Sequence, residues 1–190
     1  PWWFTINVAF LVGTLGVVYG RVLKQPIEEY YSYLAIGLVT WQFISNVLLE
    51  ACSVFIGSGH IIKQIKLPMM VYVCRSVFGN FLIFLHALPV LILVLVFSPF
   101  RLQWSHLSVP LAVLMVALHT VWMSAILAFV CARFRDVIPI TANVVQVLFF
   151  TTPIVWSADL LKEYHWIADI NPIYHIIKCL RDPLIGCLLY

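Results

Sequence analysis

Two long stretches without a charged side chain limit what this chain can fold into. Ser76–Phe100 and Leu102–Ala132 contain no Asp, Glu, Lys or Arg and are separated only by Arg101. Each is longer than the roughly 20 residues with which a helix crosses the hydrocarbon core of a membrane. Charged residues make up 10% of the 190 residues, whereas soluble domains carry about a quarter. These features exclude an ordinary soluble domain, a disordered chain and a secreted disulfide scaffold, and they predict a multi-pass membrane protein.

The apolar runs predict an all-α integral membrane protein with one transmembrane domain over residues 1–190. We expect spans at about 1–20, 31–56, 69–97, 109–131 and 137–156. The chain begins at Pro1 rather than Met and stops at Tyr190 inside an apolar run. We therefore expect a fragment in which a sixth span is largely missing.

The basic residues predict the orientation of these spans. Lysines and arginines are dense in two short turns, residues 57–68 and 133–136, whereas the remaining loops balance theirs with acids. Cytoplasmic loops of membrane proteins carry an excess of Lys and Arg. Both turns are therefore expected in the cytoplasm, with residues 157–183 on the outer side.

Polar residues inside the predicted spans fall on two helix faces. Gln42 and Asn46 are four residues apart in span two, and Asn143 and Gln146 share a stripe of span five. Because polar groups are costly in hydrocarbon, these faces should meet protein or water. They predict either hydrogen bonding between helices or a hydrated path for a polar substrate. Glu50, near the predicted cytoplasmic end of span two, can reach lipid headgroups or a basic partner.

Two segments between the spans have helical character of their own. The inner one, residues 57–68, places Ile61, Ile62 and Ile65 on one helix face and stops at Pro68, which suits either a lipid-surface turn or docking of a cytoplasmic partner. The outer one, residues 157–186, is split at Asn171 and predicts a pair of re-entrant or interfacial helices, with a surface-bound loop as the alternative.

The order of these features resembles the membrane subunit of a bacterial ABC-type polysaccharide or polyol-phosphate exporter, the class that exports O-antigen, capsule or teichoic acid. The motifs that carry the resemblance are spread along nearly the whole chain: PWW at 1–3, YLAIGLVTWQF at 33–43, IKQIKLP at 62–68, RFRDV at 133–137, QVLFFTTPI at 146–154, NPIYH at 171–175 and RDPLIG at 181–186.

The resemblance implies a six-span permease fold, of which five spans and the re-entrant outer gate helices are present here. It assigns the inner segment as the coupling helix that sits on an ATPase, with Gly59, His60, Ile62, Lys63, Gln64, Lys66 and Pro68 as its residues. The turn with Arg133, Arg135 and Asp136 either joins this docking surface or anchors its spans. The outer gate residues are Asn171, Pro172, Tyr174 and Arg181. The resemblance also implies a channel lined with aromatic side chains, for which the candidates are Phe149, Phe150 and Trp156.

The function implied is that of a permease subunit in an ATP-driven exporter of a lipid-linked, O-antigen-like polysaccharide. The sequence has no GxxxxGK[ST] motif, so we expect ATP and Mg to bind a partner ABC ATPase, in two copies, and no cofactor to bind this chain. A second copy of the chain, the lipid-linked polymer and membrane lipid are the other expected partners, and nucleic acid is not. The expected location is the bacterial cytoplasmic (inner) membrane.

Three other classes of membrane protein are also compatible with the sequence. A drug- or haem-exporting ABC permease has the same composition. An ion-driven secondary transporter would need ionisable residues near the midplane or inverted repeats, and Glu50 is the only acid within a predicted span. A haem protein could use His86 and His119 if they lay at similar depths, while no GxSxG or HExxH motif indicates an enzyme.

Overall fold

The fold is that of a computed structural model, which describes residues 2–23, 27–97, 104–156 and 165–185. These residues form helices and their connections, and no strand occurs among them. A short 3₁₀ helix, Trp104–Ser108, precedes α6. The helices are α1 (Trp2–Leu23), α2 (Ile27–Ala51), α3 (Val54–Gly57), α4 (Gly59–Gln64), α5 (Met69–Phe97), α6 (Val109–Arg133), α7 (Val137–Thr151), α8 (His165–Ile170) and α9 (Pro172–Ile185).

Three segments in the described part of the chain are long and apolar enough to cross a membrane: Tyr30–Ala51, Met69–Val96 and His106–Arg133. Shorter apolar helical stretches are Thr5–Gly20 in α1 and Val137–Thr151 in α7. Large apolar side chains are exposed on α5 and α6, among them Phe78 and Leu118. Such surfaces suit contact with lipid rather than water. The predicted all-α membrane fold is confirmed.

The helix α2 occupies the centre of the bundle and contacts α1, α5, α6, α7 and α9. Most of its side chains are buried, and Leu34, Ile36 and Ile44 are fully so. On its buried faces this helix can carry polar groups, because they meet protein there. Thr40 is one of them, and its hydroxyl donates to the carbonyl oxygen of Ile36.

The predicted second span, 31–56, is interrupted before its predicted end. The helix α2 ends at Ala51, a turn follows at 52–53, and α3 covers Val54–Gly57. At the break, the amide and the hydroxyl of Ser53 both donate to the carbonyl oxygen of Glu50, each at 3.0 Å. A serine hydroxyl that bonds a nearby carbonyl competes with helix continuation, which an apolar run of letters does not reveal.

The predicted third span, 69–97, coincides with α5, whereas some other predicted boundaries shift by a few residues. The predicted inner helix, 59–68, ends at Gln64 because Ile65 adopts an extended conformation. The predicted fifth span, 137–156, ends at Thr151, since Thr152 is extended before Pro153. Of the predicted outer helices over 157–186, α8 and α9 are seen on either side of Asn171, whereas 157–164 and 186–190 lie outside the described residues. A sixth span was expected to begin at Pro183, and residues 183–185 belong to α9.

Candidate functional site

The chain leaves the helical conformation at residues 152–156, after α7, and we call this segment the break. Asn171, one of the predicted outer gate residues, holds it in place. The side-chain Nδ2 of Asn171 donates to Oγ1 of Thr152 at 2.8 Å, and its Oδ1 accepts from the backbone N–H of Ile173 at 3.0 Å. The second bond satisfies a free N–H in the first turn of α9, as helix-capping residues do. Asn171 therefore fixes both the start of α9 and its position against the end of α7.

Two tyrosines of α2 form hydrogen bonds with backbone carbonyls of the same break. Tyr30 Oη donates to the carbonyl oxygen of Val155 at 2.7 Å. Tyr33 Oη lies 2.9 Å from the carbonyl oxygen of Pro153 and 3.0 Å from that of Trp156. Both hydroxyls are directed into the protein. They satisfy carbonyls that a continued helix would have used.

Arg181 of α9 completes this cluster and is only 5% exposed. Its Nη1 donates to the carbonyl oxygen of Pro153 at 2.8 Å, and its guanidinium carbon lies 3.7 Å from the centre of the Tyr33 ring. This hydrogen bond and the aromatic face replace part of the water around the cation, whereas Nε and Nη2 have no hydrogen-bond partner among the described residues. Gly37 of α2 makes room for it, since a Cβ there would collide with Nη2 of Arg181. We call Tyr30, Tyr33, Gly37, Thr152, Asn171 and Arg181 the outer cluster.

Replacing Asn171 with alanine should loosen the outer cluster without unfolding the bundle. The variant loses the bond to Thr152 and the cap of α9, and loss of a helix cap costs about 1 kcal/mol. The expected result is faster proteolysis and amide hydrogen exchange in α8 and α9 than in α5. Asn143→Ala is the matched control, because Asn143 is exposed on α7. Equal protection of α9 in both variants would contradict this role of Asn171.

The predicted channel residues divide between two different environments. Gln42 and Asn46 are half-buried on α2, while Asn143 and Gln146 are exposed on α7. The face of α7 that carries Thr141 and Val145 is buried against the bundle, so the polar stripe points away from it. The structure therefore does not bring the two polar stripes together within one copy of the chain.

The three predicted aromatic lining residues also lie in different environments. Phe149 is half-buried, with its ring centre 5.7 Å from that of Trp41 in α2. Phe150 lies beside it and is 67% exposed. Trp156 is half-buried in the break, where its carbonyl oxygen accepts from Tyr33. Phe150 thus belongs to the same outward surface as Asn143 and Gln146.

The predicted coupling residues lie at the other end of α2. In α4, Ile61 and Ile62 pack against the core, whereas His60, Lys63 and Gln64 are exposed. The apolar face predicted to include Ile65 is shorter than expected, since Ile65 lies beyond the end of α4 and is 51% exposed. Lys66, Leu67 and Pro68 are also exposed, and Gly59 is half-buried at the start of the segment. We call residues 59–68 the coupling surface, after their predicted role.

The second predicted inner turn lies at this same end of the bundle. The rings of Phe55 in α3 and Phe129 in α6 are 5.1 Å apart, one turn before the end of α6. Arg133, Arg135 and Asp136 follow and are all exposed.

The helix α2 connects this inner end with the outer cluster. From Tyr33 to Ala51, α2 rises about 27 Å at 1.5 Å per residue. This distance is close to the thickness of a membrane core, about 30 Å.

The two histidines considered for haem each bond their own helix. Nδ1 of His86 lies 2.7 Å from the carbonyl oxygen of Leu82, and Nδ1 of His119 lies 2.8 Å from that of Met115. Among the residues that the structure describes, no group of three or more His, Cys, Asp or Glu side chains could hold a metal ion. Neither histidine is part of the outer cluster or the coupling surface.

Comparison with known proteins identifies the family. The model of the ABC-2 type transporter membrane family matches residues 2–185. The chain belongs to this family. Two Klebsiella pneumoniae proteins named O-antigen export system permease protein RfbA are each 26% identical to it, over 95% of this chain and 70% of their own length. A Myxococcus xanthus protein of the same name is 22% identical over 85% of this chain and 62% of its own length.

Membership of the ABC-2 family confirms the coarse features of the sequence prediction. The chain is a multi-pass membrane transport subunit, and the family implies that an ABC ATPase subunit works with it.

The structure brings two of the predicted gate residues, Asn171 and Arg181, into one cluster around the break after α7. Pro172 begins α9 and is exposed, and the half-buried Tyr174 ring lies beside His175. The predicted site residues did not include Tyr30, Tyr33 or Gly37, although Tyr33 and Gly37 lie in the motif at 33–43.

Proposed function

We propose that this protein is the permease subunit that carries a lipid-linked, O-antigen-like polysaccharide across the bacterial cytoplasmic membrane, driven by ATP hydrolysis on a partner. The observation that carries the proposal is the 26% identity over 95% of the chain to O-antigen export permeases of Klebsiella pneumoniae. The family match over residues 2–185 takes in residues 59–68 and the residues of the outer cluster, which supports the proposal.

Two copies of the chain are proposed to form the conducting unit. The outward stripe of α7, with Asn143, Gln146 and Phe150, offers amides and a ring where lipid would be a poor neighbour. A second copy facing this stripe would enclose a polar, aromatic path suited to sugars. The arrangement supports a channel between copies rather than within one bundle.

ATP is proposed to act at a distance, through the inner surface of α4. Two ATPase copies, each with its own ATP and Mg, would close and push on residues 59–68 and on the turn at 133–136. Because α2 links this surface to the outer cluster, a shift at its inner end would reach Tyr33 and Arg181 about 27 Å away. Packed helices switch between discrete arrangements rather than bending continuously, so the push could open the outer cluster.

The cargo is the feature that separates this proposal from drug or haem export. Depletion of the protein should remove the polymer from the cell surface and leave a lipid-linked polysaccharide inside the cell. The measurement is lipid extraction with mass spectrometry of the glycan, compared with depletion of an unrelated exporter. Unchanged surface polymer, together with accumulation of haem or a small apolar compound, would contradict the polysaccharide proposal and favour the other ABC branch.

A further inference from the structure

A half-open polar cavity lies where α2 ends and α5 begins, next to α4. Its volume is about 450 Å³, and its lining includes Glu50, Ser53, Tyr72, Arg75, Ser76 and Gly79. Cavities of this size bind small ligands or parts of larger ones. By contrast, an apolar groove of about 970 Å³ runs between α5 and α6. Arg75 borders both the polar cavity and this groove.

The polar cavity presents two opposite charges that do not neutralise each other. Glu50 and Arg75 are both exposed, and in the described part of the chain no ion pair joins them. Oε2 of Glu50 accepts from Nδ2 of Asn80, which also donates to the carbonyl oxygen of Ser76 at 3.1 Å. The carboxylate is therefore positioned by a buried amide, yet no cation of the described residues pairs with it.

Two buried hydroxyl groups in the lining also lack partners. Tyr72 is 5% exposed and Ser76 is 9% exposed, and among the described residues neither hydroxyl has a hydrogen-bond partner. Buried polar groups in native proteins are almost always bonded. Tyr72, Arg75 and Ser76 fall at i, i+3 and i+4 of α5, so they share one face of that helix. This face offers one cation and two hydroxyl donors to an anion.

We infer that this cavity binds the headgroup of a phospholipid that carries both a phosphate and a primary ammonium, as phosphatidylethanolamine does. The phosphate accepts from the guanidinium of Arg75 and from the hydroxyls of Tyr72 and Ser76. The ammonium donates to the carboxylate of Glu50. An anionic headgroup without ammonium would leave its charge beside an unpaired carboxylate, and a quaternary ammonium has no N–H to donate.

The adjoining groove explains why the ligand is a lipid rather than a soluble zwitterion. Its lining includes Val71, Cys74, Phe78 and Leu114, which suit acyl chains. Because Arg75 lies at the border, a headgroup in the polar cavity can continue into chains along α5 and α6. In the orientation proposed above, the lipid comes from the cytoplasmic leaflet.

The test uses the full-length permease with its ATPase partner in nanodiscs that contain equal amounts of phosphatidylethanolamine, phosphatidylglycerol and phosphatidylcholine. Lipid retained on the complex is measured by native mass spectrometry. The wild-type complex should retain phosphatidylethanolamine at least tenfold over the other two lipids. Glu50→Gln and Arg75→Gln should each abolish this preference, and Lys178→Gln, an exposed cation on α9, should keep it.

Two conservative variants separate loss of lipid binding from loss of folding. Tyr72→Phe and Ser76→Ala remove only the unpartnered hydroxyls, so they should leave thermal stability in detergent unchanged or raised while weakening phosphatidylethanolamine retention about threefold. Equal retention of all three lipids, or full retention in Glu50→Gln, overturns the inference. Retention of phosphatidylethanolamine that is unaffected by millimolar phosphoethanolamine, but persists in Arg75→Gln, overturns headgroup binding in this cavity. A cross-link from Ser53 to the ATPase, with no lipid retained, assigns the cavity to the partner instead.

Discussion

Gly37→Ala is expected to destabilise the protein strongly, although alanine is the better helix former. A Cβ at this position would overlap Nη2 of Arg181 and lie 3.2 Å from the carbonyl oxygen of Ile154. Overpacking costs about 1–3 kcal/mol, and disturbing a charged hydrogen bond costs about 1.5–3 kcal/mol. The unfolding temperature of the purified protein should fall by roughly 10 °C, the shift expected for about 3 kcal/mol in a chain of this size.

The matched control is Gly13→Ala in α1, where an added Cβ meets nothing within 4 Å. This substitution should be neutral or stabilise by up to about 1 kcal/mol through helix propensity. In an Arg181→Met background, Gly37→Ala should cost clearly less, because the guanidinium is gone. If both glycine variants behave alike, or if Arg181→Met brings no relief, Gly37 does not serve to admit Arg181.

Reversing the charge at Lys63 and Lys66 should uncouple ATP hydrolysis from export. Both side chains are exposed on or just after α4, so the double variant Lys63→Glu/Lys66→Glu should fold normally. An ATPase surface that attracts these cations would repel the glutamates, with a penalty that salt reduces. We expect at least a tenfold loss of polymer export in cells and loss of permease-stimulated ATPase activity in proteoliposomes.

Lys63→Arg/Lys66→Arg is the matched control, because it keeps both charges and should keep most of the export. A neutral Lys63→Gln/Lys66→Gln pair should fall between the two. Intact export and coupled ATPase activity after charge reversal would show that these lysines do not contribute to docking.

Local sequence signals predicted the elements of this fold. The long apolar runs predicted α5 and α6. The end of α7 was predicted too late, at 156, although Pro153 disfavours helical geometry at Thr152. The split at Asn171 was also predicted, since asparagine followed by proline suits the start of a helix. These signals act within one or two turns of chain, so a single sequence is enough to read them.

The contacts that build the outer cluster and the inner cavity could not be predicted in this way. The bonds of Tyr30 and Tyr33 reach carbonyls 120 or more residues away along the chain. Gly37 and Arg181 meet only because α9 packs on α2. Periodicity identified the polar faces, but it did not show that α7 directs its stripe away from its own bundle.

The most direct test of the central claim is the composition of the complex in native membranes. The full-length protein should be isolated in mild detergent and its partners identified and counted by mass spectrometry. We predict a stoichiometric ATPase with a Walker A motif, and a mass that fits two copies of each subunit. A stable preparation that still transports its cargo but contains no ATPase would contradict the coupling surface at residues 59–68 and the proposed export mechanism.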